Sequence, residues 1–199
     1  MKASERKAQV VEEATRLFSQ HGYDKVTVKQ LAGACGISEP AVYRHFESKS
    51  AIYEAVLDSL QHRLNSEQLF ERLESGRDLT TLFRGLAEHV LAVFQQNEDL
   101  CRLLLFCTLT GHTEARKVFK VIRGPYVQFL KKQLDFLYEE GLIVDKDNEL
   151  TARCFVGMVF DCALGCTVWK GFQGRHIKPA DAVANNVPIY VRGLTVDKE

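Results

Sequence analysis

Sustained two-residue alternation of apolar and polar residues is absent from this chain, and with it the pattern of a half-buried β-strand. Proline is scarce, at 4 in 199 residues, and no low-complexity tract occurs. That composition excludes a long disordered segment. Neither charge sign is in excess: 26 Lys/Arg face 26 Asp/Glu, so the broadly basic surface of many nucleic-acid binders is missing. The start, Met1 to Lys7, is polar and has no apolar core, so it does not read as a signal peptide. The most apolar run, Cys154 to Trp169, contains Asp161 and is shorter than the roughly 20 residues a membrane helix needs. The expectation is a cytoplasmic protein with no membrane partner. No glycine-rich phosphate loop, Gly-x-Ser-x-Gly or His-Glu-x-x-His is found, and acidic pairs such as Glu139-Glu140 read as a solvated face. Catalysis is therefore not expected, nor is any cofactor. The 6 cysteines (Cys35, Cys101, Cys107, Cys154, Cys162, Cys166) form no Cys-x-x-Cys pair. Cys162 and Cys166 lie four apart on one helical face, where a soft metal or a redox pair is conceivable. Buried thiols acting as small hydrophobes are the expectation, with no metal site.

What remains is helical. Apolar residues recur at helical spacing over 4–20, then over a long amphipathic stretch from about 48 to 74. Further helices fit 79–96, 98–109, 113–122, 124–141, 149–172 and 179–195, punctuated by Ser75 to Asp78, Gly111, Gly124-Pro125, Gly141 and Gly171/Gly174. The fold class is all-α with about nine helices. Composition changes near residue 48, which predicts a small N-terminal domain over 1–48 and a larger helical body over 49–199. Residues 1–50 hold 8 Lys/Arg against 6 Asp/Glu, a net +2, and the rest hold 18 against 20, a net −2. Any DNA affinity must come from a few well-placed cations.

The informative segment runs from Thr27 to Phe46. Thr27 and Gln30 form a Thr-x-x-Gln capping box that starts a helix. Val28, Leu31 and Ala32 face one side of it, and Gly36 permits a sharp turn. Ser38 is placed to cap a second helix, with Pro40 in its first turn, where a missing N–H does no harm. Val42 and Phe46, four apart, return to the same core. Two short helices joined by a glycine turn form a helix-turn-helix. The outer face of the second helix carries Glu39, Pro40, Ala41, Tyr43, Arg44 and His45, and a helix of this size fits a major groove. Ser48 caps the next helix and Lys49 stands at its start, a seat suited to phosphate.

These residues carry a resemblance. Thr27-Val28-Lys29-Gln30-Leu31-Ala32, Gly36-Ile37-Ser38, Val42 to Phe46 and Ser48 to Tyr53 resemble the N-terminal domain of TetR-family repressors over about residues 6–55. The resemblance implies a homodimeric regulator, usually a repressor, released from a palindromic double-stranded operator by a small molecule. It implies phosphate contacts at Thr27, Tyr43, His45 and Lys49, and base-facing positions at Glu39, Pro40 and Ala41. Lys29 and Arg44 match variable positions. Ser38 completes the candidate DNA-binding set. For Glu39 two readings stand: it accepts from a cytosine amino group, or it only stabilises its helix N-terminus.

A single reading helix of about two turns cannot select one genomic site among millions of competitors, so two copies are needed. Helices over about 149–172 and 179–195 are the expected dimer contact. The first is apolar nearly all round, and Gly157 and Gly165 permit close approach. The effector is unknown. Phe83, Leu86, His89, Val90, Phe106, Phe119, Tyr126, Phe129, Phe155 and Asp161 are the candidate pocket, which points to an apolar or aromatic molecule. Asp161, set in the most apolar helix, is expected to be paired or to line a cavity.

Overall fold

The computed structural model describes residues 3–74, 76, 78–110, 113–170, 174 and 178–196, with side chains left aside over 107–110 and 113–115. The breaks expected at Ser75, Arg77, Gly111 and Gly171 lie outside the described residues. Eleven helices occur among those described: α1 Ala3–His21, α2 Val28–Ala34, α3 Glu39–Tyr43, α4 Lys49–Leu64, α5 Ser66–Glu74, α6 Leu79–Gln96, α7 Glu98–Thr110, α8 Thr113–Ile122, α9 Gly124–Glu139, α10 Asn148–Cys166 and α11 Pro179–Leu194. The all-α class is as the periodicity predicts. The one β feature among the described residues is an isolated antiparallel bridge, Ile143 to Thr195.

The helix count exceeds the expected nine partly because the stretch 48–74 is two helices. Asn65 separates them in the left-handed region, at φ 48°. Asparagine tolerates that conformation better than other side-chain-bearing residues because its short amide bonds locally. Here the Asn65 amide donates to Gln68 Oε1 at 2.9 Å. The helix expected to reach residue 172 stops at Cys166, where Thr167 turns its hydroxyl back onto the Ala163 carbonyl at 2.8 Å.

The chain forms two compact units. One comprises Met1–Leu64 with Arg102–Ile122, and the other comprises Asn65–Cys101 with Arg123–Glu199. This division differs from the split expected at residue 48, because α4 packs on α1 and α8 packs on α4. Lys117 of α8 reaches Glu54 of α4 at 2.6 Å, and Val118 and Ile122 are fully buried.

The first unit is built on Val10, Ala14 and Phe18 of α1, Leu31 of α2, Val42 of α3 and Ile52 and Val56 of α4, all fully buried. Burying a side chain of the Phe18 class contributes about 1.5–3 kcal/mol. Phe18, Tyr23 and Tyr53 form a ring triad with centroids 4.8–5.6 Å apart. α1 ends at Gly22, φ 79°. A Cβ there would stand 3.3 Å from the Phe106 ring.

The second unit is led by α6, α9, α10 and α11. α6 and α10 are capped by Asp78, which accepts from Thr81 N at 2.7 Å, and by Asp147, which accepts from Leu150 N at 2.8 Å. α9 closes in a paired turn at Gly141, φ 67°, with Gly141 N on Tyr138 O and Leu142 N on Leu137 O, both 2.9 Å.

Gly22→Ala is expected to cost about 1–2 kcal/mol, because a left-handed backbone disfavours a Cβ and the Phe106 ring must shift. Gly33→Ala, inside α2 with open space around it, should instead stabilise by about 0.5–1 kcal/mol. Urea unfolding of both variants checks the opposite signs.

Candidate nucleic-acid interface

α2 begins where its capping box forms. Gln30 N donates to Thr27 Oγ1 at 3.2 Å, and Thr27 N donates to Gln30 Oε1 at 2.8 Å. α2 ends in a Schellman turn. Ile37 N reaches the Ala32 carbonyl at 3.0 Å and Gly36 N reaches the Gly33 carbonyl at 3.1 Å. Only a residue at ease with φ near 65° closes this turn without strain, and Gly36 supplies it. Ser38 then takes the extended N-cap conformation, φ −79° and ψ 152°, with Pro40 in the first turn. The expected cap is present in backbone form alone. The Ser38 side chain makes no capping bond and stays exposed, so its hydroxyl is available to a partner.

α3 is short, Glu39–Tyr43, and two side chains hold it. Val42 is fully buried and Phe46 is 5% exposed. With those two facing inward, the others face out. Ser38, Pro40, Tyr43 and Arg44 are exposed, and Glu39, Ala41 and His45 are half-buried. Thr27 and Lys29 are exposed at the start of α2. The ten candidate DNA-binding residues thus lie on one continuous stretch of the first unit, Thr27 to Lys49.

Lys49 is held in a way its sequence position did not reveal. Its Nζ lies 4.1 Å from the centre of the Tyr23 ring and 3.5 Å from the Asp24 carbonyl, to which it donates. Partial burial lowers its pKa, opposed by the nearby Asp24 charge. A cation over a ring contributes about 0.5–1 kcal/mol at an exposed site. Ser48 Oγ accepts from Ala51 N at 3.1 Å and starts α4. A second pair escaped sequence reasoning: Lys7 Nζ lies 5.4 Å from the Phe46 ring centre. Neither pair has a linear signal, because Tyr23 lies 26 residues from Lys49 and Phe46 lies 39 from Lys7.

The candidate effector residues divide between the two units. Phe83, Leu86, Val90, Tyr126, Phe129 and Phe155 are buried in the second unit and His89 is half-buried there. Phe83 packs on Phe155 at 4.5 Å, and Tyr190 joins them, 4.9 Å from Phe155. Phe106 and Phe119 belong to the first unit instead. Phe106 fills the space beside Gly22, and Phe119 is exposed at 38%. Asp161 corrects an expectation: it is exposed, so it needs no buried partner. α10 is one-sided rather than apolar all round, with Phe155, Val156, Val159 and Phe160 inward and Cys154 and Asp161 outward. Gly157 is approached from its own chain. The Arg123 guanidinium would stand 2.9 Å from a Cβ there, and it donates to the Arg153 carbonyl at 3.0 Å.

Phe70 and Tyr190 are further aromatics of the second unit, outside the candidate set, that pack on its members. Phe70 stacks on Phe129 at 4.3 Å. Tyr126 is 1% exposed and its hydroxyl has no hydrogen-bond partner. An unmet buried polar group costs about 1–3 kcal/mol. Cys35, Cys101 and Cys166 are buried thiols, whereas Cys154 is exposed and half-buried Cys162 donates to Met158 Sδ at 3.9 Å. The side chain of Cys107 lies outside the described residues. Among the described residues no three of His, Cys, Asp and Glu converge as a metal-binding group, and no helix is long and apolar enough to cross a membrane.

A capped helix, a glycine turn and an outward second helix define a helix-turn-helix DNA-binding head. The family model for bacterial regulatory proteins of the tetR family matches residues 10–56, so the N-terminal domain is of that type. It is 30% identical over 128 residues to the nucleoid occlusion factor SlmA of Colwellia psychrerythraea, covering 64% of this chain and 61% of that one. It is 26% identical over 137 residues to the biofilm operon negative transcriptional regulator IcaR of Staphylococcus aureus, covering 69% and 72%. The chain thus spans about three fifths of the length of the SlmA relatives it matches. Its fold is similar to that of AibR in complex with isovaleryl coenzyme A and operator DNA, at TM-score 0.69 and 23% identity, covering 92% of this chain and 97% of that one.

Thr27→Ala should cost about 1 kcal/mol by removing one half of the capping box. In a double-mutant cycle with Gln30→Ala the two losses should be less than additive, as chemical denaturation would read.

Proposed function

We propose that the chain is a homodimeric transcriptional repressor that binds a palindromic operator through α3 and is released by a small apolar or aromatic effector. The observation that carries this is the outward face of α3, held rigid by buried Val42 and Phe46. Glu39, Pro40 and Ala41 face base edges in the major groove. Thr27, Tyr43, His45 and Lys49 hold phosphates, with Lys29, Ser38 and Arg44 completing the contact. The functional head covers 1–48 with Lys49 at its border, within the larger first unit, and the rest of 49–199 carries dimerisation and effector binding. The protein acts in the cytoplasm, where its operator is, and is a regulator rather than an enzyme. IcaR, named as a negative regulator, supports the repressor sense, and AibR, solved with both operator DNA and isovaleryl coenzyme A, supports a ligand-responsive fold.

The second copy joins through α10 and α11. Leu150 and Ile189 are 57% and 62% exposed, which is unusual for residues of that size. They border a shallow groove of about 290 Å³ with Cys154, Tyr190 and Gly193. A palindromic operator requires two α3 helices about 34–36 Å apart, or a multiple of one helical turn, and a second copy is what supplies the other helix.

A double-stranded DNA sequence selected by the purified protein from a random pool should be palindromic. Tyr43→Ala and Lys49→Ala should each weaken its binding, and Lys49→Ala should lower the slope of log affinity against log salt by about 1. Unchanged salt-dependent affinity in both variants would remove the DNA-binding assignment. Ile189→Arg should yield monomers by sedimentation and lose the operator with them. A dimer that persists would move the interface elsewhere.

A further inference from the structure

Tyr126 heads the fully buried side chains in size, and it stands among rings from four helices. Phe70 of α5 meets its ring edge-on at 5.6 Å, His89 of α6 lies at 6.0 Å and Phe160 of α10 at 6.2 Å. Phe129, one turn along α9, stacks on Phe70, and Phe94 of α6 meets Phe160 at 5.0 Å. Rings alone would be served by phenylalanine at position 126. The chain places an oxygen there, and that oxygen is buried with no hydrogen-bond partner. Native proteins leave few such groups unmet, and each calls for an occupant or a role.

We infer that the Tyr126 hydroxyl is the polar anchor of the effector site, donating a hydrogen bond to the uncharged carbonyl oxygen of a mainly apolar molecule. This rests on the effector-responsive reading above and narrows it. Three considerations lead to the chemistry. Burial drives the phenol pKa well up, so the group stays protonated and has a proton to donate. A protonated phenol can also accept, but a lone buried donor is best matched by an oxygen that brings no unmet proton of its own. Apart from His89 the surrounding rings are apolar, so a free carboxylate would lose most of its hydration for at most one imidazole, whereas a thioester, ester or ketone oxygen has no charge to desolvate. Phe70, Phe129 and Phe160 supply apolar surface for the remainder of the molecule, and one directional bond among them fixes its orientation.

The test compares wild-type protein with Tyr126→Phe, using octanoyl coenzyme A and nonan-2-one as carbonyl probes and decanoate as the charged counterpart. Thermal unfolding and release from the selected operator are both read. Without probe, the variant should melt at or above wild type, since it deletes an unmet polar group. A carbonyl probe should raise the wild-type midpoint and release the operator, and the variant should need about tenfold more of it. A variant that melts below wild type without probe overturns the inference, because the hydroxyl is then already satisfied within the protein. Equal response of both proteins to a probe overturns it, as does response to decanoate alone or to no probe at all. Release of operator by decanoate, or equally from both proteins by any probe, leaves the effector-responsive reading standing while the anchor falls. Failure of wild type to bind any selected DNA removes the regulator reading, and the probe-free and probe-bound melting curves still decide the role of the hydroxyl.

Discussion

The presentation of α3 depends on one constraint: Val42 must be buried while its neighbours are not. A helix of five residues has too few internal hydrogen bonds to persist alone. Its geometry is imposed from outside, by Val42 and Phe46 in the core and by the Schellman turn at Gly36 that fixes where it starts. Because Val42 alone of the helix is buried, Pro40 and Tyr43 are left exposed and Glu39 and Ala41 half-exposed on the remaining sides. Replacing the turn glycine would therefore alter the aim of all the outward side chains at once.

An electrically balanced chain binding a polyanion needs its cations placed rather than numerous. The first unit does this with aromatic rings. Tyr23, itself packed on Phe18 and Tyr53, lies beneath Lys49, and Phe46 lies beneath Lys7. A ring beneath an ammonium limits its wandering without neutralising its charge, as a carboxylate would. The Asp24 carbonyl adds a weak directional hold on Lys49. Core packing and electrostatic presentation are thus the same side chains seen from two sides.

The head was legible in the sequence because its signals are local. A capping box, a glycine at a helix end and a proline in a first turn act within a few residues, and all three stand where the linear pattern puts them. The body was less legible, because its determinants are contacts between distant segments. Asn65 breaks a helix without the glycine or proline that usually marks a break. Asp161 was read from the average polarity of its helix, but a helix buries one face, and Asp161 is on the other. Gly157 suggested space for a partner chain, yet that space is taken by Arg123, 34 residues earlier. Phe106 resembled a pocket residue until Gly22 showed what it fills. In each case the residue type was informative and its neighbour was not.

Residues 102–122 fold with a head whose other part ends at residue 64, and 37 residues of the second unit intervene. This has a consequence for synthesis. As the chain emerges, α1 to α4 are complete early, but the face of α4 that packs on α8 stays bare until α8 has left the ribosome. The interval leaves apolar surface unpaired in the nascent chain, the circumstance in which misassembly and chaperone capture occur. It also means that a fragment cut at the end of α4, though it holds every proposed DNA contact, would carry an uncovered flank.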